Sequence, residues 1–341
     1  MTMPQELLVV VVKVVVIFAA LLTLFSLMTY LERRLLAFMQ FRLGPNRTGP
    51  RGRLQPVADG IKLFFKEEVM PAGADKWLFV AAPAVALVTA FLSMAVVPWG
   101  GPITVGGREV ALQVADLDVG ILFVFAISSL GVYGIVLAGW SANNKYTLMG
   151  GLRSSAQMFS YELALGLSWV GVILLASSFR ISDVVASQAG GFWNWNFARQ
   201  ALGFLVYVVA STAEVNRTPF DLPEAETELV GGFHTEYSSM RFALLQMAEY
   251  VNMITVCAIG ASVFFGGWLA PLPALQAPFG FDLGPLWFLL TLAAGLFFFV
   301  WLRGTLPRVR YDQLMRFGWK VLVPLAMLNI LATAAVVALW K

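Results

Sequence analysis

The chain is poor in three things: it holds one cysteine, Cys257, one histidine, His234, and only 13% charged residues among 341. A single thiol and a single imidazole exclude a disulfide framework, a zinc site, an iron–sulfur ligand set and a His-ligated haem. A soluble globular domain carries about 25% charge, so the shortage of charge excludes an ordinary water-soluble enzyme. There is no soluble domain, no low-complexity tract and no internal repeat. What is present is apolar: 59% of the residues are hydrophobic and the mean hydropathy is +0.77.

The apolar residues gather into runs of roughly 20, the length that crosses a hydrocarbon core of about 30 Å. They predict eight transmembrane helices, at 7–30, 77–97, 119–140, 155–178, 198–214, 242–269, 285–303 and 319–340. The fold class is therefore all-α, a polytopic integral membrane protein forming a single transmembrane domain over 1–341. Arg33 and Arg34 follow the first run and no small-residue cleavage site appears, so this run reads as a retained helix rather than a signal peptide. Alternate connections (31–76, 141–153, 215–241 and 303–320) carry 18 of the 23 basic residues. The opposite set has little beyond Arg108, Arg180 and Arg199. The basic loops are expected to face the cytoplasm with both termini outside. The net charge of +3 is thereby explained by orientation rather than by nucleic acid. The outer connections 98–118 and 270–284 read as plain Gly/Pro-marked turns.

The unusual sequence lies in the inner loops. After Glu32-Arg33-Arg34 the chain runs through Gln40-Phe41-Arg42 into Gly44-Pro45-Asn46 and Gly49-Pro50, a tight-turn pattern, and Gln55-Pro56 then opens a helix. In that helix Leu54, Val57, Ile61 and Phe64 or Phe65 share one face and Asp59, Lys62 and Lys66 another, as in an amphipathic helix lying in the interface. A basic anchor on lipid headgroups is the simpler reading. The cluster of Glu32, Arg33, Arg34, Gln40, Arg42 and Asp59 around a shaped turn favours a more specific role.

The loop after the fifth span sets Glu214, Asp221, Glu224, Glu226, Glu228 and Glu236 against one base, Arg217. A solvated acidic loop is the simpler reading here too. The interleaved Phe220, Leu222, Leu229, Val230 and Phe233 weigh against it. Glu162 and Glu249 each sit about eight residues inside a span, roughly 12 Å deep at 1.5 Å per residue. A charge near the bilayer centre costs at least about 2.5 kcal/mol, so such groups usually face a polar interior and mark ion or proton paths. Each is a candidate for reversible protonation; the alternative is helix stapling through Lys145, Arg153 or Arg303.

The run Glu32 to Glu67 (ERRLLAFMQFRLGPNRTGPRGRLQPVADGIKLFFKE), the loop Arg217 to Tyr237 (RTPFDLPEAETELVGGFHTEY), QMAEY at 246–250 and RYDQL at 310–314 closely resemble the H-type subunit family of proton-pumping NADH:quinone oxidoreductase, respiratory complex I. The resemblance covers essentially the whole chain, in order. It implies eight transmembrane helices, no intrinsic cofactor, and a place joining the membrane arm to the peripheral arm in a bacterial plasma membrane. It further implies that the loops 31–76 and 215–241 form the membrane side of a chamber for ubiquinone or menaquinone. The electrons would come from an iron–sulfur cluster held by neighbouring peripheral subunits. By motif match Glu32, Arg33, Gln40, Arg42, Asp59, Phe220, Asp221, Glu224, Glu226, Arg303 and Asp312 would line or adjoin the chamber. Glu162, Glu214 and Glu249 would form a buried relay toward antiporter-like subunits. Many bacterial relatives carry a Glu in the third span, where this chain has Ser128-Ser129 ahead of Tyr133-Gly134. Ser129 cannot hold charge, so a water or another carboxylate would take over that step. Two alternatives stand beside this reading: the related subunit of a membrane-bound hydrogenase or other dehydrogenase, and an independent ion-coupled transporter using Glu162 and Glu249.

Overall fold

The computed structural model describes residues 3–105, 108–221, 230–277 and 282–340. Among them, seven helices are long and apolar enough to cross a membrane, and Ala201–Glu214 is a shorter apolar helix at the place of the fifth expected span. The chain is a multi-pass membrane protein. Its helices are α1 Met3–Met39, α2 Gln55–Phe65, α3 Lys76–Ser93, α4 Gly120–Ser141, α5 Lys145–Ala176, α6 Ile181–Ala186, α7 Asn196–Arg199, α8 Ala201–Glu214, α9 Ser239–Phe264, α10 Gly284–Thr305, α11 Tyr311–Phe317 and α12 Val323–Trp340. A π-helical turn, Gly318–Leu322, joins the last two.

Three spans differ in extent from the hydropathy reading. α1 continues through Met39, so Glu32, Arg33 and Arg34 ride on the helix instead of lying in a loop. α5 starts at Lys145, ten residues early, behind an Asn144 N-cap whose side chain accepts from the Tyr146 N–H. The final helical run begins at Tyr311. In each case a polar segment stays helical because neighbours pack on it, a contribution that hydropathy does not register. The connection 98–118 also contains a small antiparallel hairpin, Ile103–Val105 with Arg108–Val110.

Close helix approach orders the bundle. α4 packs on both α3 and α5, and α5 also packs on α8 and α12. A Cβ on Gly139 of α4 would lie 3.1 Å from the Gly151 Cα of α5, so these backbones touch where larger residues would hold them apart. The main core is built on Tyr161, Trp169, Tyr207, Phe264, Phe288 and Leu292. Between α7 and α8 the helix breaks at Gln200, whose buried amide is bound by Asn329 and Thr333 of α12.

α2 shows the two faces its spacing predicts. Val57, Ile61, Phe64 and Phe65 are exposed, with Phe65 at 81%, while the helix packs on α1 and α9. An apolar face turned away from the protein, on a helix too short to span, suits the bilayer interface. The preceding turn is fixed by Tyr30, which donates to the Arg51 carbonyl at 3.0 Å. It also needs Gly52, whose φ of +75° is left-handed and where a side chain would collide with the Pro45 carbonyl. At the other end the Ser239 hydroxyl reaches the carbonyls of Leu63 and Lys66, tying the end of α2 to the start of α9.

Candidate functional site

Two cavities and a cluster of four charges meet around α9. The first cavity, about 450 Å³, lies between α1, α2 and α9. Its polar lining includes Arg33, Asp59, His234, Gln246 and Tyr250, and its apolar lining includes Phe25, Leu63, Phe242 and Met247. Arg33 donates to Asp59 at 2.6 Å, and the other Asp59 oxygen accepts from Gln55 at 3.0 Å. Arg33 is 54% exposed, so the pair is worth about 0–1 kcal/mol of stability. Its value lies in presenting donors and acceptors to the cavity.

Behind the cavity is the charge cluster. Glu32 is 4% exposed; it accepts from the Tyr250 hydroxyl at 2.6 Å, pairs with Arg303, and lies 3.6 Å from Arg217. Arg217 reaches Glu249 at 3.8 Å and stacks its guanidinium 4.4 Å from the Tyr250 ring centre. Two carboxylates and two guanidinium groups balance, as burial requires. The cluster joins α1, the end of α8, α9 and the end of α10, which brings the two unusual loops together.

The second cavity is enclosed, about 60 Å³, and lies among α3, α4, α5, α8 and α9. Glu214 and Glu249 line it with Asn252, Ser128, Thr89 and Thr255. Among the described residues no group hydrogen-bonds the buried Glu214 Oε2. Glu249 and Tyr250, adjacent on α9, therefore serve different cavities: successive helical residues project about 100° apart. Glu162 lies 17 residues past Lys145, about 25 Å along the helix. Its partner is the Ser129 hydroxyl of α4 rather than Lys145, Arg153 or Arg303.

The remaining expected site residues are dispersed. Gln40 accepts from Arg42 at 2.8 Å, and Arg42 lines a separate surface cavity with Arg34 and Arg51. Phe220 is buried against Tyr161, its carbonyl accepting from Gln157 at 2.8 Å. Asp221 is buried and paired with Arg308 at 2.8 Å. Asp312 lies 42% exposed in a forked pair with Arg310. Glu224 and Glu226 lie outside the described residues. The return leg of the loop is pinned: Glu236 accepts from Asn144 at 2.6 Å, and the Tyr237 ring stacks 4.1 Å from that of Phe79. Burial holds the Tyr237 phenol above its ordinary pKa despite the Ser141 hydroxyl beside it, so it stays neutral at physiological pH.

The sequence marks His234, Gln246 and Tyr250 as members of the 217–237 and 246–250 motifs, but not as residues of one cavity. The available signal was the helical spacing of Gln246 and Tyr250, four apart and hence on one face.

A family model described as NADH dehydrogenase matches residues 12–334. An H-type NADH-quinone oxidoreductase subunit of Geobacter metallireducens, the one numbered 2 there, is 52% identical, covering 96% of this chain and 95% of its own length. Its namesake in Geobacter sulfurreducens is 54% identical over 94% of each. The H-type NADH-quinone oxidoreductase subunit of Frankia casuarinae is 50% identical over 94% of this chain and 71% of its own.

Proposed function

From the premise that the chain belongs to the NADH dehydrogenase family, we propose that it is an H-type membrane subunit of a proton-translocating NADH:quinone oxidoreductase, forming part of the quinone chamber and coupling quinone reduction to proton movement. The Geobacter relatives are quinone oxidoreductase subunits along nearly their whole length, which disfavours the hydrogenase-type and transporter alternatives. It acts only within the assembled complex, with other complex I membrane and peripheral subunits as partners. Quinone is the substrate at a subunit interface. The chain has one cysteine and one histidine, so the electrons come from an iron–sulfur cluster in a neighbouring subunit. The basic loops face the cytoplasm of a bacterial plasma membrane and both termini lie outside.

One observation carries this reading: a single helix, α9, holds Tyr250 at the membrane-edge cavity and Glu249 at the enclosed one, with Arg217 and Glu32 between them. The first cavity joins apolar walls to a polar end, as an isoprenoid quinone requires, and its size falls in the range of about 300–1,000 Å³ typical of small-molecule sites. Its faces come from the loops 31–76 and 215–241 together with α9. There Arg33, Asp59, Gln246 and Tyr250 offer groups that hydrogen-bond a headgroup. Charge introduced beside Tyr250 acts on Glu32 and Arg217, and through them on Glu249, which opens onto Glu214. Glu162 extends this relay.

A photoreactive short-chain quinone, applied to the purified complex, is expected to label peptides within 55–63 and 234–250. Labelling confined to other subunits would remove this cavity from the quinone path. Asp59→Asn frees Arg33 from its charge-assisted hydrogen bond and is expected to raise the KM for short-chain quinone about tenfold with little change in kcat. A changed kcat at constant KM would place Asp59 outside the binding step.

A further inference from the structure

The contact between α4 and α5 holds a device whose use depends on the relay reading of Glu162. The Ser129 oxygen lies 2.9 Å from the Phe125 carbonyl of its own helix and is also hydrogen-bonded to Glu162 Oε1 across the helix pair. A hydroxyl has one proton to donate and two lone pairs to accept with, whereas an ionised carboxylate only accepts and a protonated one also donates. Ser129 therefore cannot donate to both acceptors at once. When Glu162 is ionised, the hydroxyl donates to it. When Glu162 is protonated, its O–H donates to the serine oxygen and the serine proton turns back to Phe125. In both states the contact between the two side chains keeps a hydrogen bond.

We propose that Ser129 is a positioning residue that holds the Glu162 carboxyl in one place through both of its protonation states, by reversing the direction of the hydrogen bond between them. An alanine there would leave the ionised form without this donor, and an acid would add a second negative charge. Serine meets the requirement with a short side chain, which demands close helices. Gly166, one turn beyond Glu162, faces the Phe125 ring of α4, whose tip would lie 3.4 Å from a Cβ there, at ordinary contact distance. At the other end of the same helix pair Gly139 and Gly151 meet, and the Thr147 hydroxyl lies within hydrogen-bond reach of both the Gly139 carbonyl, at 3.1 Å, and the Asn144 carbonyl of its own helix, at 2.8 Å. The interface is thus held together on either side of the serine.

The surroundings make the hydroxyl the relevant partner. From α8 the ionisable group within electrostatic range of Glu162 is Glu214, an acid like itself. Tyr161, next to it on α5, is committed elsewhere, donating to the Leu314 carbonyl at 2.9 Å. Trp169 packs 4.5 Å from Phe125, closing the apolar wall around the pair. Reversible pairing lets the site load and release a proton without reorganising a crowded helix interface. Water then need not replace a third-span carboxylate at this contact.

The test compares Ser129→Ala, Ser129→Thr and Glu162→Gln in the purified, assembled complex reconstituted into vesicles, using carboxyl-region infrared difference spectra on quinone reduction together with NADH-driven proton pumping. Assembly is checked by NADH:ferricyanide activity. A carboxyl band is expected in the parent, absent from Glu162→Gln, moved to the frequency of a carboxyl whose O–H has no acceptor in Ser129→Ala, and restored in Ser129→Thr. Pumping in Ser129→Ala is expected to fall about tenfold, the scale of losing one hydrogen bond to a charged group, and Ser129→Thr should recover most of it. If Glu162→Gln abolishes the band and pumping while Ser129→Ala leaves both as in the parent, the serine proposal is overturned and the relay stands. If Glu162→Gln changes neither, the relay reading falls and the proposal with it.

Discussion

Arg217→Met is expected to abolish recovery of the intact complex or lower its thermal stability severely. Arg217 is 7% exposed and lies against Glu32, Glu249 and the Tyr250 ring, so its loss takes a counter-charge from both carboxylates at once, of which Glu32 keeps Arg303. Removing one partner of a buried ion pair costs about 3–5 kcal/mol, because the remaining charge stays out of water. Total stabilities are about 5–15 kcal/mol, so this is a large fraction. The damage is also distributed, since the cluster joins four helices. Arg217→Lys keeps the charge but loses the planar stacking surface and should fall between parent and Met variant. The decisive comparison is Arg217→Met with and without Glu249→Gln: neutralising the stranded carboxylate should restore part of the yield. A Met variant with parental yield and inactivation temperature would show that the cluster does not hold the bundle together.

Glu249→Gln alone is expected to do the opposite, leaving assembly nearly intact while cutting quinone reductase activity and coupled pumping by about a hundredfold, the low end of what losing a positioned proton-transfer group costs. Glutamine fills the same volume and keeps hydrogen-bonding capacity, so the packing of α9 has little reason to change. It cannot take up or release a proton. The effect should therefore appear in the steps between quinone and the enclosed cavity, while NADH still reduces the iron–sulfur clusters and ferricyanide. Wild-type quinone reduction and pumping in this variant would remove Glu249 from the relay. The two experiments separate what α9 does for stability from what it does for coupling. Arg217 neutralises two buried acids, whereas Glu249 touches the cluster on one side and the cavity of Glu214 on the other.

Much of this architecture is legible in the residues. The apolar runs mark where the long helices cross, because the bilayer imposes its thickness on the length of each hydrophobic stretch. The i, i+3, i+4 spacing of Val57, Ile61, Phe64 and Phe65 foretells the two-faced α2, and its exposed apolar side bears this out. Helix ends are harder to read. Residues 31–39 and 145–154 are too polar to register as membrane spans, yet remain helical because α1 and α5 extend beyond their apolar segments and pack against neighbours.

The site was legible as an inventory of unusual residues but not as a set of pairs. Asp59 and Arg33 are 26 positions apart in one loop region and do meet. Phe220, from an equally distinctive motif, turns into the core instead. His234 lies inside the 217–237 motif but is singled out in the sequence only by its scarcity, yet it lines the membrane-edge cavity.

The sequence by itself determined that this is an α-helical membrane protein, where its apolar runs lie, that it brings almost no metal-binding side chains, and which family it resembles. These follow from composition and local spacing, on which the bilayer acts directly. Only the tertiary structure decided that Arg217 sits between Glu32 and Glu249, that Tyr250 and Glu249 open onto different cavities, and that Ser129 is the partner of Glu162. Those contacts join residues up to 271 positions apart, as with Glu32 and Arg303. They arise because a buried charge must find a counter-charge wherever the packing of the helices brings one, and helix packing is a property of the whole bundle rather than of any stretch of chain.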